Sequence, residues 1–259
     1  MTRLAAILWL GVFANVATAQ TWQGPLRPAA RVTASFPFGN RGGSWCVGPN
    51  CESVPVPILD VYGSDYTGGA TFTPTIGAGV TFTKTGTVTA SQATPFYPDG
   101  FSGTQQTGML FDGTTGYFEA GDVLDQAGDF TICAVLRPDA AAATARGILT
   151  KDNVSSARSF ALIRSDGSTA LAFYVFKTDA ALSSLAIGTA SATGWTAMCV
   201  SYDFVADGTS IIRANLDGTA PTELTTAVGP VQNSTALLRL GLHNVGYFDG
   251  TISRVTMLA

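Results

Sequence analysis

"LFDGTTGYFEA" at 110–120 and "YFDGTISRVTML" at 247–258 share the tripeptide Phe-Asp-Gly and little else. A tandem repeat would carry similar residues after each copy. The first copy is followed by "TTGYFEAGDVLDQAGDF", whereas the chain runs only nine residues beyond the second. With no period there is no solenoid and no propeller. The reading that remains is one structure that closes on itself, with an early strand and the last strand side by side.

The surrounding sequence fits that reading. From about Val56 onward the chain consists of short runs rich in β-branched and aromatic residues, among them "PILDVYG", "DFTICAVLRP", "ALAFYVFKT", "WTAMCVSYDF" and "SIIRANLDG". Gly, Asp and Ser punctuate them. Asp-Gly pairs occur at 99–100, 112–113, 166–167, 207–208, 217–218 and 249–250, and this dipeptide supplies the positive φ that tight hairpin turns need. The one helix-like stretch, "DAAAATA" at 139–145, is too short to stand alone. The sequence predicts an all-β chain of antiparallel strands, long enough for one sandwich.

The N-terminus reads differently. Arg3, an apolar run from Leu4 to Val16 and the small residues Ala17-Thr18-Ala19 have the form of a secretory signal peptide. That run is too short to span a bilayer, and no later stretch is long and apolar enough, so no membrane span is expected in the mature form. The expected organisation is a signal peptide at 1–19, an N-terminal extension with a cysteine pair at 20–54, and a sandwich at 55–259. Secretion to an extracellular or periplasmic space follows from it.

Losing 1–19 removes one base, Arg3, and no acid, taking the formal net charge from −4 to −5. Only 12% of residues are charged, about half the usual share, so Thr, Ser, Gly and Asn must build the surface. An acidic chain without a basic cluster lacks the electrostatic footprint of a nucleic-acid binder. Four cysteines in an exported chain favour disulfides. Cys46 and Cys51 flank the turn-forming "VGPN". Cys133 and Cys199 each point away from the more apolar face of their strands, so they fall on one side if those strands share a sheet. A Cys133–Cys199 bridge and two buried thiols both remain open.

The ordered set "FDGTTGYFEAGDVLDQAGDFTICAVLRPD" (111–139), "RGILTKD" (146–152), "FALIRSDGSTALAFYVF" (160–176), "GWTAMCVSYDF" (194–204), "IIRANLDG" (211–218) and "LRLGLHNVGYFDGTISRVTML" (238–258) resembles laminin-G-like domains of the concanavalin A-like lectin/glucanase superfamily. The family pattern usually has Trp where Val135 stands. The resemblance implies a jelly-roll β-sandwich of two curved antiparallel sheets whose first and last strands are neighbours.

Some members of that superfamily are retaining glucanases, which need two carboxylates about 5 Å apart. The three glutamates, Glu52, Glu119 and Glu223, have no carboxylate two or four residues on. Asp125/Asp129 and Asp203/Asp207 have the spacing, but in turn-like contexts. The single histidine, His243, has no lyase motif around it, and neither G-x-S-x-G nor H-E-x-x-H occurs. Catalysis is not expected, and a cryptic glycoside hydrolase ranks last among the readings.

Two features remain. The acidic stretch "EAGDVLDQAGD" (119–129) reads first as turn and strand-end residues. Calcium, which takes many oxygens from irregular loops, is the one cofactor it suggests, with Asp112, Asp122 and Asp249 as candidate ligands. The loops "KDNVSSAR" (151–158) and "HNVGY" (243–247) combine Lys151, Asn153, Arg158, His243, Asn244 and Tyr247, a set suited to stacking on and hydrogen-bonding a sugar. Solvated hairpin loops are the plainer reading of both. The leading expectation is a non-catalytic recognition module for glycan or another extracellular surface ligand. The alternative is a structural or adhesion subunit that self-associates through the sandwich. Should the loops not form the rim, the sheet around Tyr174 and Phe176 is the next place to look.

Overall fold

A computed structural model describes residues 57–93, 107–139, 144–153, 157–165, 170–177, 182–191, 194–204, 210–226, 229–244 and 246–259. The expected signal peptide, N-terminal extension and Cys46–Cys51 link lie outside the described residues. In chain order the strands are β1 (Pro57–Tyr62), β2 (Thr71–Phe72), β3 (Phe82–Thr85), β4 (Val88–Ala93), β5 (Thr107–Asp112) and β6 (Tyr117–Ala120). They continue with β7 (Phe130–Pro138), β8 (Arg146–Asp152), β9 (Arg158–Arg164), β10 (Ala170–Phe176), β11 (Leu182–Thr189) and β12 (Thr196–Asp203). The last six are β13 (Ser210–Leu216), β14 (Thr222–Thr226), β15 (Leu238–Leu240), β16 (Leu242–His243), β17 (Gly246–Tyr247) and β18 (Asp249–Leu258).

Two antiparallel sheets form the sandwich. The first runs β14-β13-β12-β7-β18-β5-β4, with β1 also on β18; the second runs β11-β10-β9-β8-β15-β6-β3-β2. The hairpin β16–β17 stands apart from both. Among the described residues no helix is long and apolar enough to cross a membrane.

The two Phe-Asp-Gly copies are cross-strand neighbours. Asp249 pairs with Asp112 and Gly250 with Phe111, and the Phe111 and Phe248 rings meet edge to face with centroids 6.0 Å apart. Beyond Ile252 the same strand, β18, pairs with β1. One long C-terminal strand therefore closes the sheet against two early ones. The Asp-Gly at 249–250 is thus a strand segment and not a turn. Gly250 has φ +136°, and a Cβ there would lie 2.2 Å from the Arg137 carbonyl oxygen, so glycine is required by close approach. At Asp217-Gly218 the expected turn forms, with both φ positive and Thr219 N–H donating to the Leu216 carbonyl.

Period-2 alternation sends one side of each strand into the core. On β7 the inward set is Phe130, Ile132, Ala134 and Leu136, all buried. Phe130 packs against Phe160, Phe173 and Tyr202 at centroid distances of 5.5–6.0 Å, joining the two sheets through aromatic rings. Each such buried side chain contributes roughly 1.5–3 kcal/mol. On the opposite side of β7, Cys133 lies directly across from Cys199 on β12, and the two are bridged.

A candidate binding site on the outer face of the second sheet

The site is built from a register slip. Along β8 and β9, Lys151 pairs with Phe160 but Asp152 pairs with Arg158, so Ser159 is one residue too many. Such a bulge re-aims the neighbouring side chains. Phe160 faces the core, whereas Arg158 joins Asp152 on the outer face. The guanidinium grips the carboxylate twice, Nε to Oδ1 at 2.9 Å and Nη2 to Oδ2 at 3.0 Å. Its carbon also lies 3.8 Å from the centroid of the Phe176 ring, a cation–π contact. Tyr174, two residues back on β10, extends the aromatic surface, its ring 6.5 Å from that of Phe176. Asp152 is fully buried, while a third of the Arg158 side chain, 32%, is exposed.

The hairpin β16–β17 lies over β8 and supplies the other wall. Gly147 makes room for it: a Cβ there would stand 2.2 Å from the Leu242 carbonyl. Thr150 Oγ1 donates to the Leu242 carbonyl at 2.8 Å. His243 then reaches across, its Nε2 3.1 Å from Asp152 Oδ2. Asn244, at the hairpin tip, is exposed with φ +55°. Tyr247, on the return strand, lies with its ring 6.1 Å from that of Tyr117 on β6. Beside Tyr117, Glu119 accepts a hydrogen bond from Arg239 Nε at 2.8 Å.

The structure brings Arg158 and His243 together on one carboxylate, and places Asn244 and Tyr247 on the same hairpin. Asn153 is committed to its own loop, its Oδ1 accepting from Ala157 N–H at 2.8 Å and its N–H donating to the Ala157 carbonyl at 2.9 Å. Lys151 turns the other way. Its ammonium is fully buried, paired with Asp122 and, at 3.0 Å, with Asp125, and it donates to the Ala236 carbonyl at 3.0 Å. Asp152 and Tyr117 carry the arrangement beside the expected residues, and Phe176, expected as part of the fallback sheet face, joins them. For Asp152 the signal was a carboxylate ending the buried strand "RGILTKD".

The candidate calcium ligands are placed apart in function. Asp122 meets Lys151. Asp249 meets Arg146 at 3.1 Å. Asp112 folds onto its own turn, accepting from the N–H groups of Thr114, Thr115 and Gly116 and from both threonine hydroxyls. Burial acts against its charge, but these hydrogen bonds outweigh it and hold the carboxyl well below the usual range. Among the described residues no three His, Cys, Asp or Glu side chains are grouped to hold one ion.

Asp112 and Asp249 face each other in register, Asp112 wrapped in hydrogen bonds from its own turn and Asp249 facing Arg146 at 3.1 Å. Burial raises Asp203 and Asp217, but Asp203 is held by Arg213 and Asp217 by the Ala197 N–H. The outer face of the second sheet carries the half-buried rings of Tyr117, Tyr174 and Tyr247, the exposed Asn244 and the partly exposed guanidinium of Arg158, while Phe176 lies buried beneath that guanidinium.

Residues 112–258 match the laminin-G model described as the concanavalin A-like lectin/glucanases superfamily. A search of curated proteins found no match. Among solved structures, the chain resembles the binding domain of botulinum neurotoxin serotype G, with TM-score 0.53, 14% identity, and coverage of 78% of this chain and 47% of that one. It resembles a botulinum neurotoxin type C structure titled for cell entry through two ganglioside molecules, with TM-score 0.51, 12% identity and coverage of 78% and 47%. It also resembles domain 4 of AbnA, an extracellular arabinanase of Geobacillus stearothermophilus, in complex with arabinotriose, with TM-score 0.52, 12% identity and coverage of 79% and 92%. The chain thus spans about half the length of the toxin structures and nearly all of the arabinanase domain. At these identities the likeness is one of fold.

Proposed function

Because the chain belongs to the concanavalin A-like lectin/glucanases superfamily through its laminin-G match, we propose that it is a secreted, non-catalytic recognition module for glycan, acting in an extracellular or periplasmic space. The observation that carries this reading is the convergence of Arg158, His243, Phe176 and the β16–β17 hairpin around buried Asp152. Planar rings stack on sugar faces and fixed polar groups bind hydroxyls; the half-buried Tyr174 and Tyr247 rings and the exposed Asn244 are such groups, and buried Phe176 backs the Arg158 guanidinium. The arabinanase domain of similar fold, in complex with the neutral sugar arabinotriose, supports glycan as the class of ligand.

The test is a broad glycan array probed with the full chain, followed by Tyr247→Ala. Saturable binding that weakens in the variant, with an unchanged circular dichroism spectrum, is expected. Binding of no glycan, or release of reducing sugar by a homogeneous preparation, defeats the reading.

Self-association is the second reading, favoured by one feature. Strand β11 is an edge of its sheet, and Leu182 on it is 53% exposed, the one large apolar side chain so exposed among the described residues. Sedimentation showing assembly at micromolar concentration, abolished by Leu182→Lys, would support it.

A further inference from the structure

We infer that this site selects neutral glycans and excludes acidic ones, an inference that rests on the recognition reading above. Among the described residues, the basic side chains on the outer face of the second sheet are Arg158 and Arg239. Each already faces a carboxylate: Arg158 is bidentate on Asp152, and Arg239 Nε is 2.8 Å from Glu119. The remaining bases of the second sheet are engaged or buried elsewhere: Lys151 meets Asp122 and Asp125, Lys84 lies 5.7 Å from the centroid of buried Tyr66, Arg146 meets Asp249 at 3.1 Å, and Arg164 and Lys177 are buried.

The burial of the pairs decides how a ligand sees them. Asp152 is fully buried, so an acidic sugar that drew Arg158 toward itself would leave a carboxylate without its counter-charge in a dry site, which is strongly unfavourable. A sugar that left the pair intact would meet no net positive charge and gain no electrostatic steering. The net-negative chain adds a weak repulsion at range. Hydroxyls suffer neither penalty. The Asn244 amide and Tyr247 phenol can donate and accept at no cost in charge, and the aromatic faces are indifferent to it. His243 faces the same carboxylate, its Nε2 3.1 Å from Asp152 Oδ2, so it too is turned toward an anion and not toward the ligand.

The experiment compares matched glycans on the full chain at one fixed pH: neutral oligosaccharides against their sialylated, sulfated and uronate-bearing counterparts, at low and near-physiological salt. The expected result is neutral members bound at least about tenfold tighter, with affinities that do not change with salt. An acidic member binding more tightly than its neutral counterpart, with affinity falling as salt rises, overturns the inference while leaving the recognition reading in place. No binding to either class removes both. Asp152→Asn, which frees the Arg158 charge, is expected to narrow the gap by about tenfold; a folded variant with unchanged preference overturns the account. If that variant does not fold, the wild-type comparison decides the matter alone.

Discussion

His243 Nε2 and Asp152 Oδ2 lie 3.1 Å apart although ninety-one residues separate them. The contact joins the hairpin to the strand beneath it, so the wall and floor of the site are fixed to each other. The same carboxylate also orients Arg158. One buried anion therefore sets the geometry of two side chains from different parts of the sequence.

The two partners of the ion pair are not equivalent. Removing Arg158 leaves Asp152 buried with its charge unanswered by the guanidinium, whereas removing the Asp152 charge leaves a partly exposed guanidinium that water can solvate. Arg158→Ala is expected to cost about 3 kcal/mol and Asp152→Asn about 1–2 kcal/mol. Urea unfolding of both variants checks this. Equal costs, or the reverse order, would show that Asp152 is not held in the buried state described.

Gly147 fixes where the hairpin can lie, because its absent Cβ is occupied by the Leu242 carbonyl. Gly147→Ala is expected to lift the hairpin, at a cost of about 1–3 kcal/mol. Hydrogen exchange at 242–247 should accelerate while β7 and β12 stay protected. Glycan affinity should fall with it. Uniform acceleration across the sandwich would place the strain elsewhere.

Much of this is legible in the sequence, and the boundary falls at register. Alternation along "FTICAVLRP" and "WTAMCVSYDF" placed both cysteines on one face, and β7 and β12 pair with Cys133 opposite Cys199. The duplicated Phe-Asp-Gly predicted neighbouring early and late strands, as β5 and β18 are. What could not be read was the bulge at Ser159. It is a one-residue slip between partners, invisible in either strand alone, and it decides that Arg158 faces outward. Lys151 looked like a rim residue because it adjoins a loop, but alternation along β8 carries it inward to Asp122 and Asp125. The hairpin over Gly147 was hidden for the same reason: a glycine does not announce which distant segment needs its space.

Asp112 makes stability depend on acid. Partial burial would raise its carboxyl, but hydrogen bonds from Thr115, Thr114 and Gly116 depress it below its unfolded value, about 3.9. Its contribution is therefore complete above about pH 4 and is lost as pH falls through the lower folded value. Asp112→Asn is expected to flatten the fall of stability below about pH 4, and Asp112→Ala to cost about 2 kcal/mol at neutral pH through lost hydrogen bonds. Chemical unfolding at a series of acidic pH values reads both. An unchanged acid limb in the Asn variant would assign that proton uptake to another carboxylate.

The Cys133–Cys199 bridge spans 66 residues of sequence and ties β7 to β12 in the middle of the first sheet. Everything from β8 to β11 lies inside the loop it closes, including the Asp152–Arg158 pair. Closing a loop of that length restricts the unfolded chain by an amount worth up to about 4 kcal/mol. Replacing both cysteines by serine is expected to lower stability by about 2–4 kcal/mol. The site should nonetheless survive in the folded fraction, because the bridge sits on the outer face of the opposite sheet. The check is a pair of measurements on the double variant, melting temperature and glycan affinity. A lower melting temperature with unchanged affinity is expected. Unchanged stability would mean that the sheet pairing alone restricts the chain, and lost affinity in a folded sample would mean that the two sheets are coupled through the core around Phe130 and Phe160.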